Sequence, residues 1–325
     1  MWVALVLAIG ALAAEGETSE ITTVKTLQDG NALYEVTGWV ERETITSGER
    51  KGIYTEWAHI KILRKGGGAT WEGPFKYDIG IDALVVTGES QFATVSQFPM
   101  SMGHRVVRWQ ISDALVPAAL EEINCYSPYL APNRKWVFYN HWYPRMGTPE
   151  ECKHTSTWML DITQPEFKPV LVYPPDNATG VAPDGRIHSA LISGSAPLWS
   201  ADSRKLYYFD RLSEEHNWEG AVVSLVEIQI GQDMTIEKTT AFPIKLEDFA
   251  RPGADLTKLA FYPEELYWAG EGVIGGTLSA ERRWKSEAFL MSVTGEYVDS
   301  SDRESQTRES TDGVQVEKTE PRSDG

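Results

Sequence analysis

The chain has 325 residues and a formal net charge of −17, with 47 acidic against 30 basic side chains. That balance leaves no basic footprint, which excludes nucleic acid and anionic membrane surfaces as partners. Beyond the first residues, no stretch approaches the roughly 20 apolar residues of a membrane helix, so no transmembrane span is expected.

Residues 1–14, an uncharged apolar run from Met1 to Ala14, end in Ala-Leu-Ala just before Glu15. The run reads as a signal peptide cut after Ala13 or Ala14, although no Lys or Arg precedes its apolar core. The competing reading is an ordinary first strand or helix. Export places the protein in the periplasm or outside the cell. The strand-like Ile21-Thr22-Thr23-Val24 follows.

A phrase then recurs: a turn holding Asp, Asn or Glu, a polar residue or two, a β-type hydrophobic run, and later a second run. Asp29-Gly30-Asn31-Ala32-Leu33-Tyr34-Glu35-Val36 is answered by His59-Ile60-Lys61-Ile62-Leu63. The second copy starts at Gly88-Glu89-Ser90 and is answered by Arg105 to Ile111; the third starts at Ala131-Pro132-Asn133 and is answered by Thr157 to Ile162. The fourth and clearest is Ser200-Ala201-Asp202-Ser203-Arg204-Lys205-Leu206-Tyr207-Tyr208-Phe209, answered by Val222 to Ile228. The fifth is Tyr262-Pro263-Glu264-Glu265-Leu266-Tyr267-Trp268, answered by Ala288 to Val293.

These runs are aromatic and β-branched and are bounded by turn residues, as strands are. Further strands at Lys168–Tyr173, Met234–Thr239 and Ala196–Trp199 bring each unit to about four antiparallel strands, the content of one propeller blade. The expected fold is all-β, a β-propeller of about five to six four-stranded antiparallel blades over residues 15–298; a pair of β-sandwiches is the alternative. Ile21–Val24 is expected to complete the last blade, joining the two ends. From Asp299 to Gly325 the chain has eight acidic and four basic residues and no aromatic, and is expected to be a disordered acidic tail.

Pro197-Leu198-Trp199-Ser200-Ala201-Asp202-Ser203-Arg204-Lys205-Leu206-Tyr207-Tyr208 resembles the TolB-type (WD40-like) β-propeller repeat, roughly P-x-W-S-P-D-G-x-x-L-x-F. Tyr126 to Phe138 is similar to a second copy. Ala201 stands where the pattern has Pro, Ser203 where it has Gly, and Asn133 where it has Asp. The resemblance implies a blade and, by analogy with a periplasmic component of an envelope assembly, a binding protein; it identifies no activity.

In a blade, second-to-third strand connections share one face with the connections between blades. They run here from Val40 to Ala58, Gln97 to His104, Asn140 to Ser156, Asp210 to Gly220 and Ala269 to Glu287, and are expected to be long loops. On that face fall His104, His141, Trp142, Arg145, His154, Arg211, His216 and Trp218, the expected binding residues, since loops on a rigid scaffold carry function and Trp and Arg carry interface energy. Cys125 and Cys152, the only cysteines, fall on the same face and are expected to form a disulfide.

No spacing fits a metal motif, no cofactor is implied, and no G-x-S-x-G, H-E-x-x-H or phosphate loop is present. Gly270-Glu271-Gly272-Val273-Ile274-Gly275 matches the dinucleotide fingerprint without room for its βαβ unit, and is expected to be a flexible loop. Asn177-Ala178-Thr179 is a glycosylation sequon and Pro183-Asp184-Gly185-Arg186 a turn. The favoured reading is an exported propeller that binds a protein or peptide through its long-loop face, not an enzyme. The alternative is an exported hydrolase or lyase acting on peptide or carbohydrate across the same face.

Overall fold

The structure, a computed structural model, describes residues 18–75, 79–97, 103–141, 156–175, 180–190, 196–214, 217–249, 253–260, 262–279 and 287–292. The expected signal segment 1–14 and tail 299–325 lie outside the described residues. The chain divides into two compact units, one of residues 1–190, 199–206 and 228–239, the other of 191–198, 207–227 and 240–325.

In the first unit, β1 (Ser19–Gly30), β2 (Tyr34–Ile45), β3 (Tyr54–Arg64) and β4 (Thr70–Pro74) pair antiparallel in chain order. Val36, Gly38 and Val40 alternate with half-exposed Thr37, Trp39 and Glu41, and Ala58, Ile60 and Ile62 with less buried partners, so one face of the sheet is buried. Gly38 permits a close approach there, because a Cβ would lie 3.0 Å from Ile81 Cδ1 and 3.2 Å from Leu84 Cδ1.

A seven-stranded sheet follows: β5 (Gly80–Val86), β6 (Gln91–Gln97), β7 (His104–Ile111), β8 (Pro117–Leu130), β9 (Trp136–His141), β10 (Thr157–Asp161) and β11 (Val170–Tyr173), again neighbours in chain order. β8 serves two partners: Pro117 to Cys125 pairs with β7, and Cys125 to Leu130 with β9. The register slips between Tyr126 and Tyr129, where Ser127 takes φ 45°. Such a bulge bends its strand. The sheet accordingly folds back on itself, and Ala93, Val95 and Val106 of its first half bury in one cluster with Val137, Tyr139 and Leu160 of its second. On the other face of the first half, Ile81, Leu84, Phe92 and Ile111 join Val36, Ile60 and Ile62.

β6 is therefore buried on both faces, as a strand between two cores must be. The first unit thus stacks three four-stranded meanders, β1–β4, β5–β8 and β8–β11, with an apolar layer between successive ones. A two-sheet sandwich has a single such layer.

The third sheet has the order β12 (Ile187–Ala190), β14 (Lys205–Glu214), β15 (Asn217–Ile230), β16 (Ile236–Pro243), with β13 (Leu198–Trp199) also on β14. The fourth, in the second unit, is β17 (Tyr262–Gly270), β18 (Val273–Ser279) and β19 (Glu287–Ser292). The core of that unit gathers Tyr207, Phe209, Val223 and Leu225 with Ile274, Leu278 and Met291.

The recurring turn residue has a physical task. Asn31 Oδ1 accepts the backbone N–H of Leu33 and of Tyr34 at 2.8 Å, and Asn133 Oδ1 accepts those of Lys135 and Trp136 at 2.9 and 3.2 Å. Asp202 Oδ1 accepts Arg204 N–H at 3.0 Å and the Ser200 hydroxyl at 2.6 Å. Each cap holds the chain reversal before the next strand. Arg134 and Ser203 follow these caps at φ 58° and 61°, the left-handed slot that glycine fills in the repeat pattern. Pro183 to Arg186 is the expected turn, with Gly185 at φ 86° and Asp184 Oδ1 accepting Arg186 N–H at 3.1 Å.

Several expectations are corrected. Ile21 to Thr23 does not complete the last sheet but pairs with Glu43 to Glu41 of β2, inside β1. Val40 to Ala58 is mostly paired strand, not loop: the register runs from Val40↔Ala58 to Thr44↔Tyr54, and Arg42 Nε donates to Glu56 Oε1 across it at 2.8 Å. Asp210 to Gly220 is likewise strand on both sides of residues 215–216.

In the fifth phrase no turn interrupts Tyr262 to Trp268; Pro263 to Glu265 holds a register shift within β17. Gly270 to Gly275, expected to be a flexible loop, closes the β17–β18 hairpin with Gly270 paired to Val273 and Gly272 at φ 66°. Gly275 leaves room for Tyr267, whose ring would lie 2.5 Å from a Cβ there.

Candidate functional site

Among the expected binding residues, His104 is the one that the structure sets in a polar cluster. It begins β7, opposite Gln97 of β6 and Cys125 of β8, while β5 brings Asp82 and β1 brings Lys25 to the same strand ends. His104 Nε2 lies 3.2 Å from Asp82 Oδ2, and Lys25 Nζ lies 3.4 Å from Asp82 Oδ1. Lys25 Nζ also donates to the Asp82 carbonyl at 3.4 Å, and Gln97 Nε2 to Asp82 Oδ2 at 3.5 Å. The other imidazole nitrogen, Nδ1, is buried with no hydrogen-bond partner among the described residues.

Burial alone would lift the Asp82 carboxyl. The hydrogen bond from His104 and the charge of Lys25 outweigh it and hold Asp82 below the usual carboxylate range. Burial, and after it the charged Asp82 carboxylate, pushes the Tyr129 hydroxyl up. A carboxylate beside an imidazole can orient a proton carrier, but a nucleophile beside it must be reachable and ionisable.

Cys125 does not qualify. Its thiol is fully buried among Val106, Val137, Tyr139 and Leu160, and burial, with Asp82 as the second cause, pushes its ionisation far above the ordinary thiol range. It is also a free cysteine, which corrects the expected bridge to Cys152. The reason lies in strand alternation: Cys125 shares the inward face with Ile123 and points into the core between β7 and β9. Cys152 lies outside the described residues.

The register sets His104, Cys125 and His141 in one row across β7, β8 and β9. Arg211 is not on a surface loop but inside β14, 5% exposed, where burial lowers its ionisation against the opposing pull of Tyr262 and Asp210. Trp218 lies within β15. Trp142, Arg145, His154, His216 and the sequon Asn177 to Thr179 lie outside the described residues.

Sequence reasoning missed Lys25 and Asp82. A signal for Asp82 existed: it is the one charge in the apolar run Ile81 to Val86. Among the described residues no three His, Cys, Asp or Glu side chains are grouped to hold a metal ion, and no helix is long and apolar enough to cross a membrane.

No family model matches the chain, and no curated protein matches it. Solved structures to which it is similar include prolyl oligopeptidase B from Galerina marginata, at 10% identity and TM-score 0.30 over 84% of this chain and 43% of that one. A puromycin hydrolase matches at 13% identity and TM-score 0.32, over 81% and 45% of the two chains. A glycosyl hydrolase from Bacteroides ovatus matches at 8% identity and TM-score 0.27, over 84% of both. This chain spans less than half the length of the first two. At such TM-scores the likenesses identify no activity.

Proposed function

We propose that the chain is an exported β-propeller protein, of TolB type, that recognises a protein or peptide partner at the strand ends where Lys25, Asp82 and His104 meet. Four-stranded antiparallel meanders that follow one another in sequence and stack through apolar layers are the content of propeller blades, which supports the propeller reading. The observation that carries the binding reading is the Lys25–Asp82–His104 cluster itself. Its polar groups come from three strands of two successive meanders, so they are oriented before any partner arrives. Within the first unit, His141, Trp142, Arg145 and His154 are proposed to extend this face, because the register sets His141 in one row with His104 and Cys125 and the others follow it in the chain.

The test compares wild type with Lys25→Met, Asp82→Asn and His104→Gln in quantitative pull-downs from the cell envelope. A partner retained by wild type and lost by all three supports the reading; unchanged retention in all three refutes it. Removal of residues 1–14 is expected to keep the protein inside the cell, and export of that truncation would refute the signal peptide. The competing reading, an exported hydrolase or lyase, draws on the Asp82–His104 pair. It requires turnover that falls with His104→Gln and follows a histidine titration.

A further inference from the structure

At the opposite strand ends of the first unit, the turns after β8, β10, β13 and β15 enclose an open cleft of about 650 Å³. That volume lies within the range of small-molecule sites, roughly 300 to 1,000 Å³. Its walls alternate in chemistry: Asp161 and Asp233 supply carboxylates, Lys135 and Arg204 cations, and Gln164 an amide.

The turns orient several of these groups. Asp161 Oδ1 accepts the N–H and hydroxyl of Thr163 at 2.8 and 2.6 Å, and its Oδ2 accepts the Gln164 amide N–H at 3.3 Å, which fixes the carboxylate and leaves its remaining lone pairs toward the cleft. Asp233 Oδ1 accepts the Thr235 hydroxyl at 2.8 Å, and the Arg204 charge acts on the same carboxylate from across the cleft. Arg204 spends Nη1 on the Ile230 carbonyl at 3.0 Å. Trp136 lines the cleft although it is only 5% exposed, and its indole N–H is a further donor in that wall.

A purely cationic ligand would meet Lys135 and Arg204, and a purely anionic one the carboxylates. A hydroxyl both donates and accepts, so a neutral hydroxyl-rich molecule satisfies every wall. We propose that this cleft is a saccharide-binding site, with ligand hydroxyls donating to Asp161 and Asp233 and accepting from Lys135, Arg204 and the Trp136 indole. It stands apart from the Lys25–Asp82–His104 cluster and does not depend on the partner proposed there.

The test uses the full chain on a printed array of neutral, amino and uronic mono- to tetrasaccharides, followed by calorimetric titration with the best-retained neutral sugar. Retention of a neutral sugar is expected, with binding weakened about tenfold or more by Asp233→Asn and by Lys135→Met, in line with the loss of one charge-assisted hydrogen bond each. Gln164→Ala, in the same wall, is expected to weaken binding less and serves if either charge variant melts early. No retained sugar, retention of uronic sugars alone, or neutral-sugar binding undiminished in the variants overturns the assignment.

Discussion

Ser203 joins two neighbouring turns, and its replacement separates two effects that usually act together. It is fully buried, holds φ 61°, and its Oγ accepts the Asn133 N–H at 2.9 Å. Ser203→Ala deletes that acceptor while keeping a Cβ in left-handed backbone. The lost hydrogen bond costs about 0.5–1.5 kcal/mol, towards the upper end because the donor is partly buried. Ser203→Gly loses the same bond but relieves about 1 kcal/mol of left-handed strain. The expected order is therefore wild type close to Ser203→Gly, both above Ser203→Ala, with the two variants about 1 kcal/mol apart. At an m-value of about 2–3 kcal/mol/M in urea, that separates their midpoints by about 0.3–0.5 M. Urea titration followed by tryptophan fluorescence reads this directly. If Ser203→Ala unfolds at the same urea concentration as Ser203→Gly, or a higher one, left-handed strain is not what the glycine slot of the repeat relieves.

Cys125 is expected to resist thiol reagents at neutral pH in the native protein and to react on denaturation, as followed by mass spectrometry; native labelling would contradict its burial. Because its folded ionisation is raised, its contribution to stability is complete below the ordinary thiol value near 8.5 and declines as pH rises above it, which melting temperatures of wild type and Cys125→Ala across that range compare. Asp82 has the opposite sign: its lowered carboxyl stabilises the fold above its unfolded value near 3.9 and loses that contribution as pH falls, so Asp82→Asn is expected to show a flatter melting-temperature profile between about pH 5 and 3. Arg108, 4% exposed, donates to Glu121 and to the carbonyls of Gln164 and Pro165, and Arg108→Met is expected to cost about 3–5 kcal/mol and to raise hydrogen exchange at residues 163–169. An unchanged exchange pattern would show that Arg108 does not hold that turn.

The strands most legible in sequence were those whose turns carry a polar cap. Asn31, Asn133 and Asp202 announce β2, β9 and β14, because the side chain that caps the turn is also the residue that punctuates the sequence. Hairpin arms with polar residues on one face look like loops in the sequence. Glu41 to Thr44 and Thr55 to Trp57 carry cross-strand ion and hydrogen-bond pairs whose complementarity shows only once the register is known. The candidate site was half legible. His104 stood out as a histidine beside a connection, whereas Lys25 lies far from it in sequence and meets Asp82 only through the stacking of the first two meanders. The disulfide expectation failed for a related reason. Placing Cys125 at a strand end does not say which way it points, and the bulge that follows it in β8 is invisible to alternation counting.

A single continuous β8 also dictates how this protein comes apart. With Pro117 to Cys125 bonded to one meander and Cys125 to Leu130 to the next, neither can melt or be excised without stripping a strand from its neighbour. Amides of β7 and β9 are therefore expected to exchange through one shared opening event, so that the cooperative unit of unfolding is larger than the unit of repetition.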